Sequence, residues 1–228
     1  MFEPTSKDWW RALILYGNNM STYKMGLGDL LISYANKNKE KIPLRELSED
    51  FLDIYQERVD SGKHQKKRTL VNGEEKGLTV IETELKKIKL GETTREKAIS
   101  IVQKDSLENM VLKKFHGVFH RQIPDPFYQV TKTHLILQKH TLDTFTDNQN
   151  KPLNHELDSR WDLLEFGFEN TKKEESLEVD FKSELVIKKN KRTSIAQLRP
   201  ILNGYQRGNC FYCGLELDGS IEVDHVIP

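Results

Sequence analysis

Cysteine is scarce in this chain, because Cys210 and Cys213 are the only two among its 228 residues. Long apolar runs are also lacking: none approaches the roughly 18 residues that a transmembrane helix needs. The opening residues MFEPTSKDWW have no basic segment followed by an apolar stretch, so they predict no secretory signal. We therefore expect a cytoplasmic protein, in which a Cys-x-x-Cys pair serves metal binding or redox chemistry rather than a structural disulfide.

An excess of one charge is missing as well. The chain carries 35 basic and 35 acidic side chains, which gives a formal net charge of zero. Global charge therefore does not predict nucleic-acid binding, and only a local basic patch could provide it. The length suffices for one large domain or two small ones, and the apolar side chains cluster well enough in sequence to form a core.

Residues 1–60 predict three helices, because apolar side chains recur there at helical spacing between polar breaks. The predicted spans are 8–18, capped by Ser6; 21–35, capped by Ser21; and 44–59, with Pro43 in the first turn. The short links between them predict antiparallel packing. One of the adjacent residues Trp9 and Trp10 is expected in the core, since a helix points them in different directions.

The rest of the chain alternates between helical and strand-like patterns. A polar stretch at 60–76 predicts an exposed loop, and residues 130–147 leave strand and helix both open. Further predicted elements are helices at 79–90, 94–104, 107–115 and 154–168, a strand or hairpin at 176–189, and a last helix from 193 or 194 to 206. The predicted fold class is mainly α with a small β component (α+β).

The two cysteines lie in the sequence CFYCG at residues 210–214. Two thiolates three residues apart can both reach one tetrahedral Zn²⁺, and the glycine after the second relieves the tight turn. Two ligands do not close a structural zinc site, so a further pair is required. A redox role needs the pair at a helix N-terminus, whereas here it follows a predicted helix; zinc is favoured, and an incidental pair stays open.

The last residues of the sequence read VDHVIP, and an isolated Asp-His pair is most often a surface feature. Taken together, Cys-x-x-Cys-Gly, a spacer of about ten residues and apolar-Asp-His-apolar-apolar-Pro resemble the start of the HNH endonuclease motif. Gln206, Gly208 and Cys210 also match the Gln-x-Gly-x-Cys lead-in of many such proteins. The resemblance covers residues 195–228.

This resemblance implies a helical recognition or regulatory region at 1–193, followed at 194–228 by the start of a ββα-metal nuclease module. His225 would be the general base, since an imidazole accepts a proton from water at neutral pH. Asp224 would bind a divalent cation, Mg²⁺ or Mn²⁺, and Cys210 with Cys213 would hold half of a structural Zn²⁺.

The HNH pattern continues beyond DHVIP with an Asn or His, a helix that carries the last ligand, and often a second cysteine pair. Those residues are absent from this sequence, so the module is incomplete. The resemblance thus implies an inactive N-terminal part of an endonuclease that hydrolyses DNA, with RNA not excluded, in a setting such as bacterial anti-phage or anti-plasmid defence.

A local basic patch precedes the cysteines. Its candidate nucleic-acid-binding residues are Lys188, Lys189, Lys191, Arg192, Arg199 and Arg207. They could bind phosphates near the active site, or the lysines could simply protect a strand edge from aggregation, and both interpretations stay open. The helical region could also bind a protein partner or a second copy.

An alternative function is a non-catalytic module that binds nucleic acid or protein and uses the cysteines only structurally; it needs neither Asp224 nor His225. A second metal site is a weaker hypothesis: His116 and His120 are four residues apart and could share a helix face. Gly117 lies between them and weakens a helix there.

Overall fold

The computed structural model describes residues 4–17, 19–71, 74–118, 121–146, 152–170, 177–180, 185–188, 203, 206–210 and 215–217. They form helices with small antiparallel sheets, which confirms the predicted mainly α fold with a small β component. The helices are α1 (Ser6–Tyr16), α2 (Tyr23–Asn36), α3 (Leu44–Asp60), α4 (Val80–Lys89), α5 (Arg95–Ile101), α6 (Leu112–Lys114), α7 (Lys139–Thr146) and α8 (Pro152–Asn170), with a π-helical segment at Val102–Val111. The strands are β1 (Lys41–Pro43), β2 (Thr69–Val71), β3 (Glu74–Lys76), β4 (Gly117–Val118), β5 (Arg121–Gln122), β6 (Tyr128–Val130), β7 (His134–Leu137), β8 (Leu177–Asp180) and β9 (Leu185–Lys188).

The starts of α1 and α2 each lie two residues from the predicted ones, whereas α3 starts at the predicted Leu44. Thr5, not Ser6, caps α1: its hydroxyl accepts a hydrogen bond from the backbone of Asp8, whose carboxylate accepts one in return from the backbone of Thr5. Thr22, not Ser21, precedes α2, because Ser21 forms an isolated β-bridge with Lys66. Pro43, predicted in the first turn of α3, is instead the N-cap residue directly ahead of it and the last residue of β1.

The helices predicted at 94–104 and 107–115 are one continuous helical segment. Helix α5 runs into the π-helical segment, which runs into α6. No glycine or proline interrupts this stretch, and the wider π turn accommodates the five-residue step between the buried residues Val102 and Leu107. One extra residue is thereby inserted without turning the apolar face away from the core.

Two other segments differ from, or complete, the sequence interpretation. The stretch 60–76 is not simply an exposed loop, because β2 and β3 pair within it and Gln65 is fully buried. Residues 130–147 contain both of the structures left open: β7 lies between β1 and β6 in a three-stranded sheet, and α7 follows.

The hairpin expected at 176–189 is confirmed by the antiparallel pair of β8 and β9. Of the last predicted helix, only residues 203 and 206 are described, and both are helical.

Trp10 lies near the middle of the hydrophobic core. It is 1% exposed, and its ring packs against Phe115, Phe127 and Phe145 at centroid distances of 5.9, 5.3 and 4.6 Å. Trp9 is only partly buried and packs against the edge of the core, so the expected division between the two tryptophans is confirmed. Helix α1 packs mainly on α7, α8 and β4, whereas α2 packs on α3; the predicted three-helix unit is therefore incomplete.

Gln65 is the centre of a buried polar network that joins α2 and α8. Its side-chain oxygen accepts hydrogen bonds from the hydroxyl of Thr22 (2.6 Å) and the indole N–H of Trp161 (3.2 Å). Its side-chain nitrogen donates to a carboxylate oxygen of Glu165 at 2.6 Å. Polar side chains that are buried this deeply are stable only when their hydrogen bonds are satisfied, so the network fixes how these helices pack.

An ion pair completes the network on its α3 side. The guanidinium of Arg58 donates to Glu165 at 2.8 Å and to Asp162 at 3.1 Å, and it lies 3.9 Å from the ring centroid of Trp161. Glu165 is fully buried, and this burial raises the pKa of its carboxyl group. Arg58 therefore supplies the positive charge next to a carboxylate that has little access to water.

Gly26 allows α2 and α3 to approach closely. A Cβ atom at this position would lie 2.6 Å from the ring of Tyr55, which is fully buried. We expect the Gly26→Ala variant to lose about 1–3 kcal/mol of unfolding free energy by overpacking, despite the better helix propensity of alanine. Urea denaturation measures the change.

The control is Gly167→Ala in α8, where a Cβ atom meets nothing within 4 Å. This variant should gain up to about 1 kcal/mol of unfolding free energy. An equal gain in both variants would contradict the prediction.

None of the helices that the structure describes combines the length and the apolar character required to cross a membrane.

Candidate functional site

Only a few of the site residues predicted from sequence lie within the described part of the chain. Cys210 and Arg207 are described, and Lys188 is described as a backbone position in β9. The others lie outside the described residues: Cys213, Asp224, His225, Lys189, Lys191, Arg192 and Arg199. Their assigned roles therefore stay predictions.

Cys210 lies next to an isolated β-bridge between Asn209 and Glu216. The backbone N–H of Cys210 donates to the carbonyl of Leu215 at 2.7 Å, and that of Leu217 donates to the carbonyl of Gly208 at 2.6 Å. Asn209 and Glu216 form the β-bridge between these two bonds. The backbone on either side of residues 211–214 is thus paired, residues 208–210 with residues 215–217.

Two residues with positive φ turn the chain into this paired segment. Arg207 has φ = 54° and Gly208 has φ = 76°. Glycine adopts this left-handed conformation without steric cost, whereas at Arg207 it is unfavourable for the backbone. The Gly208 of the Gln-x-Gly-x-Cys sequence therefore has a conformational role in directing the chain toward Cys210.

Arg207 is held by an ion pair with the helical body. Its guanidinium donates to a carboxylate oxygen of Glu156 in α8 at 2.8 Å, and Arg11 in α1 donates to both oxygens of the same carboxylate at 2.7 and 2.8 Å. Burial raises the pKa of Glu156, but the hydrogen bonds from the two arginines outweigh it and lower the pKa below its ordinary value. Glu156 therefore anchors the segment ahead of Cys210, a role that its sequence context did not indicate.

The hypothesis of a metal site at His116 and His120 is wrong, because it required a helix that continues through Gly117. The helix stops before Gly117, which begins β4, and His120 lies outside the described residues. His116 is 8% exposed, and its Nε2 accepts a hydrogen bond from the backbone N–H of Phe127 at 3.0 Å. Burial first, and then the positive charge of Lys24, lower the pKa of His116 to about 4. It is a neutral core residue.

A pocket of about 550 Å³ opens beside the start of α2. Its wall combines the segment before α2, the start of α4, the π-helical segment and Gly117. Three lysines line it, Lys24, Lys66 and Lys114, and no carboxylate occurs among the described residues of its wall. The volume is in the range of small-molecule binding sites. We call this feature the lysine pocket.

Lys24 is the least usual residue of the lysine pocket. It is only 9% exposed, and its amine donates to the backbone carbonyl of Gly117 at 2.8 Å. Burial lowers the pKa of Lys24 to about 8, so the amine is still mostly cationic at neutral pH. It forms no ion pair with any described carboxylate, and it lies in the first turn of α2, where the helix dipole disfavours a cation. A buried, uncompensated cation is unfavourable for folding and is a common sign of a binding site.

No family model, curated protein or solved structure matches this chain. Within the described ranges, no group of three or more His, Cys, Asp or Glu side chains is arranged to hold a metal ion. The two features that carry functional information are therefore the paired segment around Cys210 and the lysine pocket. Sequence analysis missed the second, although a single lysine among the apolar residues of YKMGLGDLL was a usable signal.

Proposed function

We propose that this chain forms part of a metal-dependent endonuclease of the HNH type, which hydrolyses phosphodiester bonds in DNA. One observation carries the proposal: the sequence Cys-x-x-Cys-Gly is followed at the family's spacing by Val-Asp-His-Val-Ile-Pro. The hydrogen bonds from Cys210 to Leu215 and from Leu217 to Gly208 support it, because they hold together the backbone on the two sides of the Cys-x-x-Cys-Gly sequence. We also propose a cytoplasmic location and a role in bacterial defence.

In this proposal His225 accepts a proton from the attacking water, and Asp224 is a ligand of the divalent cation. The cation, Mg²⁺ or Mn²⁺, would stabilise the charge that develops on the phosphate. Cys210 and Cys213 would hold the paired segment together through Zn²⁺. Cys210 is the member of this set that lies among the described residues; it is half-buried, and its backbone N–H donates to the carbonyl of Leu215.

The basic patch ahead of the paired segment would bind the DNA backbone. Arg207 is the exception in this group, because Glu156 already neutralises part of its charge. We therefore assign phosphate binding to Lys188, Lys189, Lys191, Arg192 and Arg199, and we assign to Arg207 the positioning of the paired segment. Affinity for DNA should then fall steeply as salt concentration rises.

Plasmid cleavage in the presence of Mg²⁺ or Mn²⁺ tests the proposal. The comparison is between this chain and a version that is extended along its natural reading frame. We expect cleavage by the extended chain and none by this chain alone, because the sequence lacks the remaining residues of the HNH pattern. The His225→Ala variant of the extended chain should lose cleavage, since general-base catalysis contributes roughly a hundredfold to ten-thousandfold.

The control variant is His155→Ala, which removes an exposed histidine from α8 and should leave cleavage unchanged. Unaltered cleavage in the His225→Ala variant would contradict the assigned base. Cleavage by this chain alone would show that the residues present are sufficient.

A non-catalytic module that binds nucleic acid or a protein is the second candidate. The lysine pocket favours it, because this pocket is built from residues of the helical body and needs neither Asp224 nor His225. An extended chain that binds DNA but never cuts it, with or without His225, would support this candidate.

A further inference from the structure

We propose that the lysine pocket binds a nucleotide, with the phosphate at Lys24 and the base against the apolar rim. This inference goes beyond the nuclease proposal and does not depend on it. It concerns residues between Tyr16 and Gly117, and its test measures binding without metal or cleavage.

The charge of the pocket selects an anion. Lys24, Lys66 and Lys114 line the pocket, with no carboxylate among the described lining residues. Lys24 is buried and has the carbonyl of Gly117 as its hydrogen-bond acceptor, so two of its three ammonium hydrogens have no acceptor assigned among the described groups. A bound phosphate would supply both the missing acceptors and the missing negative charge.

The start of α2 strengthens this selection. Tyr23 and Lys24, its first two residues, both line the pocket, and the side chain of Thr22 forms no capping hydrogen bond with the helix. The positive end of the dipole of this 14-residue helix therefore lies beside the pocket. An anion at this end is favoured, whereas the cation of Lys24 alone is not.

The rest of the pocket suits a flat apolar group. Tyr16, Met20 and Met110 are 60%, 71% and 39% exposed, which is unusual for side chains of their size. All three line the opening of the same pocket. Methionine side chains adapt to the face of an aromatic ring, so these residues would cover a base and lose contact with water when it binds.

Asn19 supplies the feature that favours a nucleobase over other flat groups. Both polar atoms of its side chain are buried, and neither has a hydrogen-bond partner among the described residues. Asn19, like Lys24, is one of the residues that line the pocket. A side-chain amide presents one donor and one acceptor side by side, and an adenine edge presents the complementary pair. A buried amide without partners is costly, and a base would satisfy it.

The first test measures the affinity of the chain for adenosine 5′-monophosphate by isothermal titration calorimetry. We expect binding that the Lys24→Met variant weakens roughly 10- to 100-fold, because a charge-assisted hydrogen bond to the phosphate is lost. The control is Lys132→Met, which removes the same charge from an exposed turn and should leave the affinity unchanged. Adenosine without phosphate should bind more weakly than the nucleotide, and inorganic phosphate should compete with it.

A second variant keeps the test decisive if Lys24→Met folds poorly. Asn19→Asp places a carboxylate in the wall that Lys24 also lines, which should repel the phosphate and remove the donor for the base.

A short 5′-phosphorylated oligoadenylate distinguishes a free nucleotide from the end of a nucleic-acid strand as the ligand. Tighter binding of the oligonucleotide than of the mononucleotide assigns the pocket to the end of a nucleic-acid strand, and the reverse order assigns it to a free nucleotide. Absence of binding for both, or equal losses in Lys24→Met and Lys132→Met, would overturn the proposal.

Discussion

We expect the Arg58→Ala variant to lose about 3–5 kcal/mol of unfolding free energy, more than the Gly26→Ala variant. Arg58 lies between α3 and α8, where it donates to the fully buried carboxylate of Glu165. Its removal leaves that carboxylate with the hydrogen bond from Gln65 and without a neighbouring positive charge. The stacking of the guanidinium on Trp161 is lost as well.

Urea denaturation monitored by tryptophan fluorescence measures this loss, because Trp161 itself is part of the network. The matched control is Glu165→Gln, which keeps an oxygen that Arg58 and Gln65 can donate to and removes the buried charge. Glu165→Gln should lower the unfolding free energy less than Arg58→Ala does. If both substitutions lower it by less than about 1 kcal/mol, the pair behaves like an exposed ion pair and the assigned network is wrong.

Acidification is expected to destabilise the protein through His116 before most carboxyl groups are protonated. The folded-state pKa of His116 is about 4 and its ordinary value is 6.5. Because the unfolded chain binds the proton more readily, the stabilising contribution is complete above pH 6.5 and is lost as pH falls toward 4. The total loss is about 3 kcal/mol, of which about 2 kcal/mol falls between pH 7.5 and pH 5.

Denaturation curves at about pH 7.5 and about pH 5, for the natural chain and for His116→Gln, isolate this contribution. The glutamine oxygen can replace Nε2 as the acceptor for the backbone N–H of Phe127, but it does not titrate. We expect the pH dependence of the variant to be flatter by about 2 kcal/mol. Identical pH dependence in the two proteins would show that folding does not lower the pKa of His116 and would contradict the prediction.

The helical part of the fold could be predicted because its signals are local. Apolar spacing located α1 to α4 to within one or two residues at most of their boundaries, and Pro43 marked the start of α3. The caps were less predictable: Thr5 and Ser6 are adjacent and both suit a cap, and only the hydrogen bond with Asp8 distinguishes them.

Features that depend on distant residues were not predictable from the sequence. Gln65 lies in a run of basic residues that resembles an exposed loop, yet it is buried because Thr22, Trp161 and Glu165 supply partners from other helices. The polar sequence was a correct local signal that tertiary contacts overrode.

The two candidate sites also differ in this way, because one is visible in a short stretch of sequence and the other depends on distant residues. The spacing of Cys210 and Cys213 is contained in five residues, so the sequence revealed it directly. The lysine pocket draws its residues from four separate segments, and only the fold brings Lys24, Lys66 and Lys114 to one pocket. An isolated lysine in an apolar helix gave the sole hint of it.

The pairing of β1 with β7 has a consequence for synthesis of the protein on the ribosome. Ile42 pairs with Leu135, so β1 has to wait for its partner while the intervening residues are translated. At about 5–20 residues per second this takes roughly 5–20 s. For most of that time Trp10 also lacks Phe115 and Phe127, and Phe145 is translated only after Leu135. The nascent N-terminal helices therefore expose apolar surface for seconds, which makes them a natural substrate for chaperones that bind emerging chains.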